Sequence, residues 1–130
     1  MTAQNYRNLQ AWQKAMDLVV AVYRCTEQLP QTERFGLISQ MRRAAVSVPS
    51  NIAEGKGRFS NKELVQFLLR ARGSLLELDT QVMLAYRLGY VSEIQFSGLQ
   101  RQCAEVGKIL NGLINHFATA TRPLASSAET

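Results

Sequence analysis

The chain has 130 residues, 46% of them hydrophobic and 19% charged, and a net charge of +5. This length and composition are typical of one globular domain with its own core, and they exclude a disordered tail and a multidomain assembly. Because the longest apolar run is far shorter than the roughly 18 residues of a membrane span, and the N-terminus lacks the basic-then-apolar order of a signal peptide, we expect a soluble, cytoplasmic protein.

Apolar spacing predicts a first helix over residues 8–28 and a second over residues 33–54. The first has apolar residues on one stripe at steps of three and four, namely Leu9, Trp12, Met16, Val19, Tyr23 and Thr26. Thr32 is the expected N-cap of the second helix, because its hydroxyl can accept from the free N–H groups of the next turn. Pro49 lies inside this helix, and we expect a kink there rather than an end, since the apolar spacing continues to Ile52.

The second helix is predicted to close at the turn Gly55-Lys56-Gly57, where glycine supplies the left-handed backbone of a C-terminal cap. Ser60 and Glu63 fit a capping box at the start of a third helix over residues 61–88. The apolar positions of this helix repeat at steps of four and three over three heptads, and a second apolar line runs beside them.

A fourth helix is predicted over residues 93–118, after Gly89 ends the third. Four helices joined by short loops, without strand-like alternation, predict an all-α fold: an antiparallel up-and-down four-helix bundle that occupies residues 1–118. Residues 119–130 have too little apolar content to pack and are predicted to form a flexible C-terminal tail.

The apolar surface of the third helix is wider than one core requires, so we expect a homo-oligomer. Gly73, Gly107 and Gly112 lie inside predicted helices, where each costs roughly 1 kcal/mol against alanine. Such glycines suggest that another backbone approaches closely. That backbone could belong to a second subunit or to the same bundle.

The excess positive charge lies in one continuous segment, residues 34–72. This segment has eight basic and two acidic residues, a net charge of +6, whereas the other 91 residues have a net charge of −1. A basic segment of this kind favours an anionic partner such as nucleic acid. The alternative is a solvated face whose arginines pair with acidic groups elsewhere in the fold.

Residues that could support catalysis or bind a metal are few. His116 is the only histidine, and we expect it to be a surface or boundary residue. Cys25 and Cys103 lie on different predicted helices without the spacing of metal ligands. We therefore expect no metal site and two buried, reduced thiols.

The carboxylates Glu54, Glu77 and Asp79 have no nearby histidine to support acid–base chemistry. Glu77 is expected to pair with the guanidinium of Arg42 or Arg43 from a neighbouring helix or subunit. These observations favour a protein that is not an enzyme and that uses no cofactor.

The turn Gly55-Lys56-Gly57-Arg58 differs from a nucleotide-binding loop. It lacks the earlier glycine of GxxxxGK, and Gly57 stands where a serine or threonine would hold magnesium. What remains is a basic turn that leads into a helix N-terminus. Such a turn either binds phosphate non-specifically or is a solvated connector.

Two long runs closely resemble a known family: FGLISQMRRAAVSVPSNIAEGKGR, residues 35–58, and FLLRARGSLLELDTQVMLAYRLGY, residues 67–90. The opening LQAWQKAMDLVVAVYRCTEQLP resembles the first helix of the same family. The family is that of bacterial four-helix-bundle proteins first described as encoded in intervening sequences of large-subunit ribosomal RNA genes. The resemblance covers about residues 6 to 118 and rests on the ordered segments RRAA, NIAEG-x-GR and A-x-GS-x-x-E.

The resemblance implies an antiparallel bundle that assembles into a ring, typically a pentamer. A related branch is the accessory protein of diversity-generating retroelements, in which a basic pentameric barrel is thought to contact a reverse transcriptase and nucleic acid. None of the shared motif residues is established as catalytic in the family. Here these residues are Arg42, Arg43, Ser47, Asn51, Glu54, Gly55, Gly57, Arg58, Gly73, Ser74 and Glu77.

Charge and resemblance together predict a non-enzymatic homo-oligomer that binds RNA or DNA by electrostatic docking, with little base readout. The candidate phosphate-binding residues are Arg42, Arg43, Lys56, Arg58, Lys62, Arg70 and Arg72. Phe59 and Phe67 are the aromatic residues that could stack on bases. The alternative is a structural adaptor that binds a protein partner, such as a reverse transcriptase, and uses its basic residues in ion pairs within and between subunits.

Overall fold

The computed structural model describes residues 3–121, which form four α-helices and two short 3₁₀ helices. The α-helices are α1 (Gln10–Thr26), α2 (Leu37–Lys56), α3 (Asn61–Arg87) and α4 (Glu93–Thr121), and the 3₁₀ helices are Ala3–Asn8 and Gln31–Glu33. Each α-helix packs against its neighbours in the chain, and α4 also packs against α1, whereas the backbones of the diagonal pairs, α1 with α3 and α2 with α4, do not approach each other closely. The predicted all-α four-helix bundle is confirmed.

The core follows the heptad positions predicted for α3. All seven of these positions are buried, and they are Leu64, Leu68, Ala71, Leu75, Leu78, Val82 and Ala85. They pack against buried apolar residues of the other three helices to form one continuous cluster. Large side chains at a regular spacing leave one orientation that removes them from water, which is why this helix is predictable from its sequence.

The apolar stripe predicted for α1 is partly wrong. Met16 and Tyr23 are exposed, and the helix instead buries Ala11, Ala15, Leu18, Val22 and Cys25. Both stripes have steps of three and four residues, so periodicity alone favours neither. The two alanines allow α1 to approach its neighbours closely, and this orientation turns Met16 and Tyr23 outward.

The N-terminus of α2 also differs from the sequence prediction. Thr32 lies in the 3₁₀ helix Gln31–Glu33, and α2 begins only at Leu37. The cap is supplied by Glu33, whose Oε1 accepts from the Leu37 N–H at 3.2 Å. A carboxylate at this position also interacts favourably with the positive end of the helix dipole.

Pro49 does not end α2, as expected, because the helix continues through it to Lys56. The predicted left-handed glycine at the end of α2 is wrong, since Gly57 has a φ of −83°. Gly89, with a φ of +79°, is the one residue with positive φ in the described part of the chain. It ends α3 in a Schellman motif, in which the Tyr90 N–H donates to the Ala85 carbonyl at 2.9 Å.

The start of α3 agrees with the predicted cap, because Ser60 Oγ accepts from the Glu63 N–H at 3.1 Å. At the same end of the bundle α4 continues to Thr121, three residues beyond its predicted end, and the rest of the predicted tail lies outside the described residues. No described helix has both the length and the apolar character that a membrane span requires.

Candidate nucleic-acid interface

A polar seam lies on the surface where α2 packs against α3. The Ser47 and Ser74 hydroxyls form a hydrogen bond of 2.8 Å between the two helices. Asn51 Nδ2 donates to Ser47 Oγ at 3.0 Å and to the Ser47 carbonyl at 2.8 Å. The two family-like segments, residues 35–58 and 67–90, therefore contact each other along this seam. Their small polar residues set the register between the two helices.

Further along the seam, α2 and α3 approach each other closely at Gly55. A Cβ at this position would lie 2.8 Å from the Phe67 Cβ and 3.1 Å from Leu64 Cδ1. Only glycine leaves room for α3 at this distance. The requirement for Gly55 is thus packing against a neighbouring helix, not a special backbone conformation.

Two guanidinium groups lie over the ring of Phe67 at the end of this seam. The Arg58 Cζ is 4.6 Å and the Arg70 Cζ 4.7 Å from the ring centroid, which is the distance of a cation–π contact. Arg58 also pairs with Glu54 at 3.7 Å. The Lys56 ammonium lies 5.4 Å from the ring centroid of Phe117 on α4. Aromatic rings thus position three cations at one end of the bundle.

Two of the seven candidate residues are held by polar partners on other helices. Arg42 is half-buried, and its Nε donates to Thr26 Oγ1 at 2.8 Å while Nη2 donates to the Tyr23 carbonyl at 3.3 Å. Arg72 Nη1 donates to Asn111 Oδ1 on α4 at 3.2 Å. Thr26, Tyr23 and Asn111 are not identifiable as partners from the sequence, because each lies 16 or more residues from its arginine in the chain.

The ion pair predicted for Glu77 does not form within the chain. Its expected partner Arg42 is held by α1 instead, and the ion pairs of the described residues are Lys14–Glu105 and Arg58–Glu54. Glu77 and Arg43 are both exposed. Solvation of these two groups explains the absence of a pair, since an exposed ion pair gains little over water.

The structure brings together four of the seven candidate residues and separates the other three. Lys56, Arg58, Lys62 and Arg70 lie around the turn between α2 and α3 and the adjoining seam. Arg43 lies nearer the middle of α2, Arg42 faces α1, and Arg72 faces α4. The seven candidate residues therefore form a cluster of four at one end of the bundle, with three arginines spread around its sides, and Arg34, the remaining basic residue of the segment, lies at the opposite end.

Two apolar strips lie outside the core, on opposite corners of the bundle. On α1 the strip consists of Met16, Val20 and Tyr23, which are 39 to 47% exposed, and beside it a groove of about 630 Å³ is lined by residues that include Ile38 and Val46 of α2. The strip on α3 consists of Leu69, Gly73 and Leu76. It adjoins a groove of about 910 Å³ between α3 and α4.

Gly73, Gly107 and Gly112, the glycines predicted to allow a close backbone approach, differ in their surroundings. A Cβ at Gly73 or Gly112 would meet nothing within 4 Å, whereas one at Gly107 would lie 3.3 Å from Leu75 Cδ2. Packing within the bundle therefore explains Gly107 but neither of the other two. Gly73 lies between Leu69 and Leu76 on the outward strip of α3.

The two cysteines are buried, unpaired thiols. Burial raises the pKa of Cys25, and burial together with the nearby charge of Asp79 raises the pKa of Cys103 to about 12. A thiol with such a pKa is a poor nucleophile and a poor metal ligand at neutral pH. No group of three or more His, Cys, Asp or Glu side chains that could hold a metal occurs among residues 3–121.

These features define a four-helix bundle that has basic side chains in contact with aromatic rings at one end and exposed apolar strips on α1 and α3. The family model of the 23S rRNA-intervening sequence protein matches residues 7–112. The chain belongs to this family, as its sequence motifs predicted.

A solved structure of similar fold is that of a protein of unknown function from the S23 ribosomal protein family of Bacteroides thetaiotaomicron. It is 21% identical, has a TM-score of 0.75, and the alignment covers 80% of this chain and 97% of that chain. This similarity shows the shared fold. No curated protein matches the chain. Neither the family description nor that of the structural neighbour indicates an enzyme.

Proposed function

We propose that this protein is a non-enzymatic homo-oligomer of the cytoplasm that binds RNA or other nucleic acid through the basic cluster around the α2–α3 turn. The observation that carries the proposal is that most of the candidate basic side chains are not neutralised by a carboxylate within the described part of the chain. Of the seven candidate residues, Arg58 alone forms an ion pair with a carboxylate within the described residues. Arg43, Lys62 and Arg70 are exposed to solvent.

Exposed cations at fixed positions attract phosphate groups and release the counterions bound to them. The cation–π contacts support this role, because they hold the Arg58 and Arg70 heads at the surface without neutralising their charge. Such contacts position a nucleic acid by its backbone and read little of its sequence. The family description, which names a 23S rRNA intervening sequence, is consistent with an RNA partner.

Assembly is supported by the two apolar strips on α1 and α3. These helices occupy diagonal corners of the bundle, and the strips are unlike in composition. Contact between the α1 strip of one copy and the α3 strip of the next is heterologous, and heterologous contacts close into rings when the rotation allows. A ring of five, as the family resemblance implies, would have a net charge of about +25, five times the +5 of one chain.

The proposal is tested by binding of a fluorescently labelled RNA to the full chain at low salt. We expect submicromolar to micromolar affinity, and a several-fold loss when Arg58→Ala or Lys62→Ala removes one phosphate contact. Arg87→Ala is the matched control, because Arg87 is an exposed arginine of α3 at the opposite end of the bundle. Equal losses for all three variants, or no binding by the unaltered chain, would overturn the proposal.

A further inference from the structure

The side chain of Phe59 is fully exposed on the turn between α2 and α3. Its relative exposure is 105%, the highest among the exposed large hydrophobic residues of the described chain. Leaving a phenylalanine in water forgoes the free energy of burying its ring. Packing within the chain offers no reason for an aromatic residue at this position.

Basic residues precede and follow Phe59 along the α2–α3 turn. Arg58 precedes it, and Lys62 follows in the first turn of α3, where it is exposed. Lys56 lies at the end of α2. The Arg70 and Arg58 guanidinium groups both lie over the ring of Phe67. The acidic residues of this turn are Glu54, which pairs with Arg58, and Glu63, so positive charge dominates around the ring.

The ring of Phe67, the other stacking candidate, is already covered by protein groups. It is half-buried, its Cβ lies close to the backbone of Gly55, and two guanidinium groups lie over its ring. A nucleic-acid base could reach this ring only by displacing an arginine. Phe59 has no ring or cation contact of this kind, and both faces of its ring are open.

An open aromatic ring among cations is the arrangement that binds unpaired nucleotides. The ring stacks on a base, and the cations hold the phosphates on either side. A duplex keeps its bases stacked inside the helix and offers such a ring no partner. We propose that the α2–α3 turn binds single-stranded nucleic acid, with Phe59 stacked on an unpaired base and Arg58 and Lys62 on the flanking phosphates. This inference rests on the proposed function and specifies its partner.

The chain contains a matched control for Phe59. Phe35 is 90% exposed and also follows an arginine, with the Arg34 Cζ 5.5 Å from its ring centroid. It lies at the opposite end of the bundle, just before α2, where Glu27 and Glu33 offset the charge of Arg24 and Arg34. A general effect of removing an exposed ring would appear in both variants, whereas stacking on a nucleic acid would appear only at Phe59.

The test compares a labelled single strand, oligo-uridine of about 20 nucleotides, with an RNA duplex of the same length. We expect the unaltered chain to prefer the single strand, and Phe59→Ala to weaken single-strand binding about tenfold, the effect of losing one stacked base. Duplex affinity should be unchanged, and Phe35→Ala should bind both forms as the unaltered chain does. The same single-strand affinity in Phe59→Ala and the unaltered chain would overturn the inference.

A spectroscopic readout separates stacking from a change in folding. In Phe59→Trp, oligo-uridine should quench the emission of the introduced indole, while the emission of Trp12 in the unaltered chain stays constant. Binding of the unaltered chain to both RNA forms without quenching in Phe59→Trp would leave the proposed function standing and overturn this inference. Absence of RNA binding would overturn both. A blue shift with anionic phospholipid vesicles, without quenching by RNA, would contradict the inference and indicate a membrane surface as the partner.

Discussion

Glu33 connects two parts of the bundle through its two carboxylate oxygens. Oε1 accepts from the Leu37 N–H at 3.2 Å, and Oε2 accepts from the Tyr90 hydroxyl at 3.0 Å. The second hydrogen bond, together with desolvation and the charge of Glu33, raises the pKa of Tyr90 above its ordinary value of 10.0. One side chain thus caps α2 and holds the connection between α3 and α4 against it.

We predict that Glu33→Ala lowers the free energy of unfolding by about 1 to 2 kcal/mol, because it removes the cap of α2. Thr32→Ala should change it by less than about 0.5 kcal/mol, since the Thr32 side chain is exposed and does not cap the helix. Urea denaturation followed by circular dichroism measures both. A larger loss in Thr32→Ala than in Glu33→Ala would show that the threonine is the cap after all.

At the scale of elements, the contact between α2 and α3 depends on the absence of a side chain at Gly55. A Cβ there would lie 2.8 Å from the Phe67 Cβ, which is attached directly to the α3 backbone and cannot rotate away. The two helices would have to move apart. This movement would break the Ser47–Ser74 hydrogen bond and displace the arginines that lie over Phe67.

We therefore predict that Gly55→Ala destabilises the protein by about 1 to 3 kcal/mol, the usual cost of overpacking. Gly98→Ala is the control, because Gly98 lies within α4 and a Cβ there would meet nothing within 4 Å. That substitution should be neutral or stabilise the helix by up to about 1 kcal/mol. Thermal unfolding of the two variants compares them directly, and an unaffected Gly55→Ala would contradict the close approach described here.

How much of each element is predictable depends on its side chains. The core face of α3 follows from sequence because its leucines at heptad spacing have one orientation that buries them. The face of α1 does not, since alanines at positions 11 and 15 are buried only because neighbouring helices lie close enough to cover them. Likewise, the basic cluster is visible as a charged segment, but the separation of Arg42 from it depends on Thr26, a residue of another helix.

At the scale of the whole molecule, the two apolar strips and the basic end assign different roles to different surfaces. Under the proposed function, the sides of the bundle make the contacts between copies, and the α2–α3 end binds the nucleic acid. This division separates assembly from binding, so each can be removed by substitution while the other is retained.

We predict that the unaltered chain forms a pentamer of about 73 kDa, five times the 14.6 kDa of one chain. Leu76→Glu should dissociate it into folded monomers, because Leu76 is 62% exposed in one chain and would be covered by the next. Ile94→Glu is the control, since Ile94 is 85% exposed and lies outside both strips. Light scattering coupled to size-exclusion chromatography gives the masses. A monomeric unaltered chain would leave both strips free and favour the adaptor function.

Under the proposed function, the exposed basic cluster binds nucleic-acid phosphates. Its most direct test is the affinity of the unaltered chain for RNA as salt rises from about 50 to 200 mM. We predict that the logarithm of the binding constant falls linearly with the logarithm of the salt concentration, with a slope of about −0.7 for each single-strand phosphate contacted. An affinity that does not change over this range would contradict it.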